Sequence, residues 1–416
     1  MLNIATIVSA NYLAYAVTLG KSLQREHPEA KFSVLIVDRP TEAIKEAAAA
    51  SKLDITYGAE LGLPDFEHIA FKYDIVEFNT ALKPTFLKRL FALGADQVIY
   101  LDPDIEVFEK LDPVLEELST HDIVFTPHAT KPVMDGARPS DIDFMRNGVF
   151  NLGFVALRKT DNALAMLDWW ESRCLAYGFN DVGSGIFVDQ KWMNLVPCYF
   201  ERVGVLKHPG CNVAYWNLHE RQLTFSGERK ILVNGVPLIF FHFSGVKASA
   251  PEQLSRHQTR HKLTNGSVLQ KLVSNYCESL NANGHAQFSV INYSYGAFDN
   301  NVEITAFARR AATFENISNP FDAKQHFYKK MMSLGALDKV HGLPSSNTLL
   351  FNQDSKQVRL VNTSISIASR FLGINRMQAL IKYFAYLSKE ANFSRVILKN
   401  KFDFSHRENS SRPSIE

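Results

Sequence analysis

The chain has 416 residues, enough for two or three cores at about 150 residues each, or for one α/β unit of roughly 250 residues with additions. At 46% hydrophobic and 21% charged residues it has the composition of a globular protein, which excludes disordered, collagen-like and disulfide-stapled classes. The net charge of +2 is too balanced to point to nucleic acid, but it is unevenly placed: residues 356–416 carry +7, which leaves −5 on the rest.

The four cysteines, Cys174, Cys198, Cys211 and Cys277, show no CxxC pair and no metal-ligand spacing, so free buried thiols in a reducing compartment are expected. Met1 to Ala10 enters a short apolar strand without the basic start or long apolar core of a signal peptide. No run of about 18 uninterrupted apolar residues occurs. A cytoplasmic protein is expected, attached at most to a membrane face.

Ile4–Ser9 reads as a buried strand and Ala14–Gln24 as the helix that follows it. Phe32–Val37 is a second apolar run ending in Asp38, and Glu42–Ser51 is an alanine-rich helix. This alternation predicts a mostly parallel, open α/β sheet with helices on both faces, which binds ligands outside the carboxyl ends of its strands. Asn79–Leu93 reads as one helix with Pro84 in its first turn, where a missing N–H costs nothing. It leads into the strand Gln97–Leu101, which stops at Asp102-Pro103-Asp104. Ile123–Thr126, Phe154–Leu157 and Leu238–Phe243 are further short strands, and Ala163–Tyr177 is an amphipathic helix carrying Trp169 and Trp170. Trp169, Trp170, Trp192 and Trp216 read as core or helix-packing residues.

Two carboxylates at i and i+2 on a strand end can both reach a hard divalent cation, which in turn can clamp the phosphates of a nucleotide. Asp-Pro-Asp is also ordinary turn chemistry, so this block alone decides nothing. Four ordered blocks together are more specific. Tyr100-Leu101-Asp102-Pro103-Asp104, Phe150-Asn151-Leu152-Gly153-Phe154, Asp189-Gln190 followed by Asn194, and His242-Phe243-Ser244-Gly245-Val246-Lys247 resemble blocks of the nucleotide-sugar glycosyltransferases with the GT-A fold. The resemblance is to the retaining family that includes glycogenin and the bacterial lipopolysaccharide galactosyltransferases. It covers roughly residues 1–250, with the lysine of the last block one position early.

The resemblance implies a GT-A fold, Rossmann-like, plus a helical C-terminal extension, with 1–250 as the transferase domain, 251–345 as an accessory segment and 346–416 as a basic, partly amphipathic region with a polar tail. It implies a metal-assisted, retaining transfer of a sugar from a nucleotide-diphosphate donor to a glycan or lipid-linked acceptor in surface polysaccharide or lipopolysaccharide synthesis. The implied ligands of Mn²⁺ or Mg²⁺ are Asp102, Asp104 and His242. Ala10, Asn11, Tyr12, Asp38, Lys83, Asn151, Gly245 and Lys247 are implied to meet the donor. The Gln190 position lies near the anomeric carbon in the resembled enzymes. Gln is a poor nucleophile, which favours a front-face transfer, with Asp189 as nucleophile or stabilising charge.

Two alternatives stand beside this reading, a sugar nucleotidyltransferase and a non-catalytic carbohydrate-binding protein. A sugar nucleotidyltransferase would carry a Gly-rich phosphate loop after the first strand, and Ser9–Leu19 has none. The absence of GxGxxG and of a P-loop weighs against a dinucleotide oxidoreductase and an NTPase. A non-catalytic carbohydrate-binding protein on the same fold would have no chemical need for all three ligands. Farther on, Tyr293 to Asn300, Arg309-Arg310 and Asn319-Pro320-Phe321 resemble a segment that follows the transferase core in bacterial polysaccharide-type enzymes. From Arg370 to Val396, Phe371, Ile374, Met377, Leu380, Ile381, Phe384 and Leu387 recur at helical spacing among Arg376, Lys382, Lys389 and Arg395. Such a helix suits an anionic membrane surface or packs its stripe on the core.

Overall fold

The computed structural model describes residues 1–227, 230–315, 317–337, 356–388, 392, 393 and 396. Lys389, Arg395 and the polar tail lie outside the described residues. The chain divides into two compact units, Met1–Gly296 and Ala297–Glu416.

The first unit opens with β1 (Leu2–Val8), α1 (Leu13–Glu26), β2 (Lys31–Ile36), α2 (Glu42–Ser51) and β3 (Asp54–Tyr57). Then come α3 (Phe66–Lys72), α4 (Ile75–Ala81), α5 (Lys83–Ala92), β4 (Gln97–Leu101), β5 (Ile105–Val107), α6 (Asp112–Thr120) and β6 (Ile123–Pro127). The one helix expected over 79–93 is two. Pro84 has no N–H to give the Thr80 carbonyl, and the chain turns at Leu82, whose own N–H takes that carbonyl. Asp74 starts α4 by accepting from the N–H groups of Val76 and Glu77, while Glu77 reaches back to the Asp74 N–H.

Next are α7 (Asp141–Asn147), β7 (Phe150–Arg158), α8 (Asp161–Tyr177), β8 (Asn180–Asp181), β9 (Ile186–Phe187), α9 (Val196–Tyr199) and β10 (Val203–Val205). β11 (Leu223–Ser226), β12 (Lys230–Val233), β13 (Val236–Pro237), β14 (Phe240–His242), α10 (Val268–Ala282) and α11 (His285–Phe288) complete the unit.

Seven strands form one sheet in the order β10-β6-β7-β4-β1-β2-β3. All neighbours are parallel except the two pairings of β7, which runs antiparallel to β4 and β6. The α/β class with a mostly parallel sheet, expected from the alternating strands and helices, is thus present. Alternate residues of β4 show why both faces are covered. Ile99 and Leu101 pack with Leu19 and Leu23 of α1 and Val114 and Leu118 of α6, whereas Tyr100 turns toward α5, with the Lys83 ammonium 4.2 Å from its ring centroid.

A separate two-stranded ribbon pairs β14 antiparallel with β5, setting His242 opposite Ile105. This short ribbon brings a histidine to the metal-strand end across 138 residues of chain. Cys174, Cys211 and Cys277 are buried as expected, but Cys198 is exposed, because it sits on the one-turn α9 at the surface.

The second unit holds α12 (Ala306–Ala312), α13 (His326–Ser333), α14 (Lys356–Leu372) and α15 (Ile374–Leu387), the helical C-terminal part that was expected. The single stripe expected from Arg370 onward is broken at Gly373, whose φ of +82° ends one helix and starts the next. Phe371 therefore belongs to α14, while Met377, Leu380, Ile381 and Phe384 lie on α15. Among the described residues, no helix is long and apolar enough to cross a membrane.

Candidate active site

β4 delivers Asp102 and Asp104 at its carboxyl end. The Asp102 N–H donates to the Gly153 carbonyl of β7, and the Ile105 N–H closes the turn on the Asp102 carbonyl. The Phe243 N–H donates to the Asp104 carbonyl, which locks β14 beside the turn. His242 Nε2 then lies 2.9 Å from Asp104 Oδ1 and 3.9 Å from Asp102 Oδ2. One ligand atom from each of the three residues falls within 4.8 Å of the others. Burial opposes a charge on His242, but Asp104 and then Asp102 outweigh it and raise the imidazole's pKa.

Two carboxylates and one imidazole nitrogen converging on one point form an O,O,N donor set that suits a hard divalent cation, Mn²⁺ or Mg²⁺. The surroundings are built for this cluster. Tyr100 donates to Asp102 Oδ1 at 2.7 Å, which orients the carboxylate. A Cβ on Gly153 would stand 2.3 Å from His242 Cε1, so only glycine lets the imidazole occupy its place. His242 Nδ1, on the far side of the ring, is buried without a partner among the described residues.

Beneath the carboxylates lies a buried ion pair. Lys83 Nζ is 2.7 Å from Asp189 Oδ2, donates to the Leu152 carbonyl and stands 3.9 Å from Asp102 Oδ1. Lys83 and Asp189 support the cluster from inside and do not line either cavity described below. Burial raises the Asp189 pKa, and Lys83 counteracts this.

One cavity opens on the two carboxylates, and a second is lined by Trp216, which packs on His242. The first, of about 340 Å³, is lined by Ser9, Asn11, Tyr12, Ile75, Asn79, Thr80, Tyr100, Asp102 and Asp104, at the strand ends where a nucleotide was expected. Ala10 and Asp38 stand behind its wall. Asp38 Oδ2 accepts from the Ala10 N–H and Oδ1 from the Ser294 N–H, so this carboxylate shapes the loop from within. Tyr293-Ser294-Tyr295, whose role was open in the sequence, thus has a place: the Arg39 N–H also donates to Ser294 Oγ, and the Arg39 guanidinium lies over the Tyr295 ring.

The second cavity, of about 510 Å³, is lined by His128, Asn147, Asn151, Gln190, Trp216, Ser244, Arg256 and His257, among others. Gln190 caps the short 3-10 helix Lys191–Leu195, which carries Asn194, and lies two residues after Val188, whose φ is +40°. Its carbonyl accepts from the Leu152 N–H and its amide donates to the Asn147 carbonyl, so both ends are engaged. Asn194 accepts from the Val149 N–H. Trp216 packs edge-on to His242 with centroids 5.0 Å apart, and it lines the second cavity. Trp169 and Trp192 pack on each other away from both cavities. Gly245 has φ +78°, and Lys247 is exposed.

Sequence reasoning passed over a buried polar network. Asn212 Nδ2 donates to Asn151 Oδ1 and Thr126 Oγ1, and Asn217 Nδ2 donates to the carbonyls of His128 and Asn212. Burial pushes the His128 pKa down to about 4, so its ring stays neutral, and its Nδ1 has no partner among the described residues. The signal lay in Asn212-Val213-Ala214-Tyr215-Trp216-Asn217, where two asparagines flank the tryptophan.

No family model matches the chain. It is 26% identical over 259 residues to the uncharacterized protein YfnF of Bacillus subtilis (strain 168), spanning 61% of this chain and 85% of that one. To YfnD of the same organism it is 25% identical over 245 residues, 58% of this chain and 76% of that one. Among solved structures, the galactosyltransferase LgtC with donor and acceptor sugar analogues aligns at a TM-score of 0.40 and 16% identity, over 70% of this chain and 98% of that one. The glycosyltransferase GlyE of Streptococcus pneumoniae TIGR4 aligns at 0.38 and 14%, over 71% and 66%. Matches this loose add no weight to the site, which stands on its own geometry.

Proposed function

We propose that this protein transfers a sugar from a nucleoside-diphosphate sugar to an acceptor hydroxyl, with Mn²⁺ or Mg²⁺ held by Asp102, Asp104 and His242. One observation carries the reading: a strand-end cavity with apolar and tyrosine walls is lined by Asp102 and Asp104, and a second cavity rich in Asn, Gln and His is lined by Trp216, which packs on His242 of the same cluster. A base and ribose suit the first. A hydroxyl-rich sugar suits the second, since buried polar groups need paired donors and acceptors. The four-block resemblance to GT-A glycosyltransferases points the same way.

When bound, the cation supplies charge neutralisation to the diphosphate as the sugar leaves. The remaining roles belong to the chain. Asn11 and Tyr12 face the nucleotide, with Ala10 and Asp38 shaping their loop. Asn151 and Gln190 hold sugar hydroxyls, and Gly245 and Lys247 approach the diphosphate. Asp189 is enclosed and paired with Lys83, which favours a charge-setting role over a nucleophilic one. Transfer then occurs on one face: the acceptor oxygen bonds to the anomeric carbon as the carbon–phosphate oxygen bond breaks, and the acceptor proton passes to the leaving phosphate. Configuration is retained. An α-linked donor gives an α-linked product by NMR, and a β linkage would contradict this.

The acceptor is proposed to be a growing surface glycan or its lipid-linked form. The sequence of α14 and α15 has five Lys or Arg and no Asp or Glu, and Phe371, Leu380, Ile381 and Phe384 are exposed. Such a pair of helices suits an anionic lipid interface. Binding to anionic vesicles that survives high salt, or deletion of 370–416, would refute it.

A donor screen tests the whole reading. Released nucleoside diphosphate is measured from a panel of sugar nucleotides with Mn²⁺, and one donor is expected to turn over. Release of pyrophosphate from a sugar phosphate and a nucleoside triphosphate would indicate the nucleotidyltransferase instead. Sugar binding with no release from any donor would indicate the non-catalytic protein.

A further inference from the structure

Resting on that reading, we infer that Arg256 is a further donor-binding residue, the cation that meets the diphosphate between the two cavities. Three other cations around the site, Lys83, Arg138 and Arg260, are engaged. Lys83 is buried against Asp189 and the Leu152 carbonyl. Arg138 is held by Asp143 at 2.6 Å, and Arg260 by Asp135 with two bonds. Among the described residues no carboxylate pairs with Arg256, whose Nε donates to His257 Nε2 at 3.1 Å and whose guanidinium lines the cavity of Trp216 and Ser244.

Its placement is on the second cavity and beside the glycine loop. Burial, then Asp104, push the Tyr12 phenol up and Arg256 pulls it down, so the guanidinium is felt at a residue that lines the nucleotide cavity with Asp104. The residues on either side of Arg256 also close on Gly245. A Cβ at Gly245 would meet Ser255 Oγ at 2.5 Å and His257 Cδ2 at 2.9 Å. Leu254 and Ser255 are buried, and Ser255 Oγ accepts from the His257 N–H, which anchors the segment. Arg256 is thus a side chain free to reach, carried on a fixed backbone beside the glycine loop that would approach the diphosphate. A guanidinium presents a planar fork that matches two phosphate oxygens at once, whereas an exposed lysine such as Lys247 offers only a point charge.

The test uses the full chain with Mn²⁺ and UDP, GDP, ADP and CDP as probes, read by calorimetry. For the diphosphate that binds wild type best, Arg256→Gln is expected to weaken affinity about 10- to 100-fold, the range of one charge-assisted hydrogen-bonded contact. Arg256→Lys should fall between the two, and the affinity for the matching nucleoside, which lacks phosphates, should be unchanged in both variants. An unchanged melting temperature shows that the fold is intact. Diphosphate affinity within twofold of wild type in Arg256→Gln overturns the inference while leaving the transferase reading standing. If that variant instead raises only the KM for an acidic acceptor, the inference is overturned and Arg256 belongs to the acceptor. Wild type that binds none of the four diphosphates overturns both.

Discussion

Lys83 Nζ and Asp189 Oδ2 stand 2.7 Å apart, each side chain 2% exposed, directly behind the carboxylate of Asp102. The pair joins α5 to the turn after β9 and clamps Leu152, whose carbonyl takes Lys83 and whose N–H goes to Gln190. It is a strut under the cluster, so its loss should be felt as stability first.

Lys83→Met leaves Asp189 as an uncompensated buried charge, which costs about 3–5 kcal/mol. Adding Asp189→Asn removes that charge and should recover much of the loss. Urea denaturation of the single and double variants checks this; equal stability of Lys83→Met and wild type would show the pair is idle.

Tyr100 keeps its proton, because burial and then Asp102 hold its pKa far above the usual phenol value. It therefore donates to Asp102 over the whole working range. Tyr100→Phe should leave the fold intact and weaken Mn²⁺-dependent nucleotide binding roughly 10-fold, as expected for a group that orients a ligand. Unaltered metal-dependent binding would remove Tyr100 from the site.

Asp38→Ala takes the acceptor away from the Ala10 and Ser294 N–H groups. Leaving those donors unpaired should cost about 1–3 kcal/mol and speed hydrogen exchange at both amides. Exchange at Ala10 that matches wild type would show that Ser294 and Asp38 do not hold the nucleotide loop.

Asp122 contributes to the pH dependence of folding. Burial raises its pKa, but bonds from Arg158, Arg202 and Asn162 outweigh it and hold the carboxyl below the ordinary value. A depressed folded pKa adds stability that is complete above the unfolded value and lost as pH falls through the folded one. Asp122→Asn should therefore cost about 1–3 kcal/mol at pH 7, with the gap to wild type shrinking below about pH 4. A gap that stays constant into acid would contradict the assignment.

Five of the seven strands of the sheet were legible as short apolar runs, β7 only over its second half, whereas the short edge strands β3 and β10 were not read because neither is a long enough apolar run. β4 was read over its full span, and the Asp102–Asp104 pair followed from where it stops. The joint at Leu82 was hidden, since the periodicity of α4 continues across it and only the Thr80–Pro84 hydrogen bond is missing. Relations across the chain were out of reach by pattern alone. His242 reaches Asp104 through the β5–β14 register, and resemblance, not periodicity, placed it there. The link of Asp38 to Ser294 spans 256 residues. Asn212 and Asn217 had no role assigned from the sequence, and only their burial and hydrogen bonds show that they hold Asn151 and the His128 backbone. Arg256 had no motif around it, and its meaning comes from having no carboxylate partner among the described residues where Lys83, Arg138 and Arg260 each have one.

The central claim is that Asp102, Asp104 and His242 hold the cation through which a nucleotide sugar binds. Calorimetry of the preferred donor with and without Mn²⁺, in wild type and in Asp104→Ala, tests it most directly. Asp104 is partly exposed at a strand end, so the variant should fold as wild type does. Wild type should bind the donor tightly only with Mn²⁺, and Asp104→Ala should lose that dependence together with turnover. Undiminished Mn²⁺-dependent donor binding in Asp104→Ala would contradict the account.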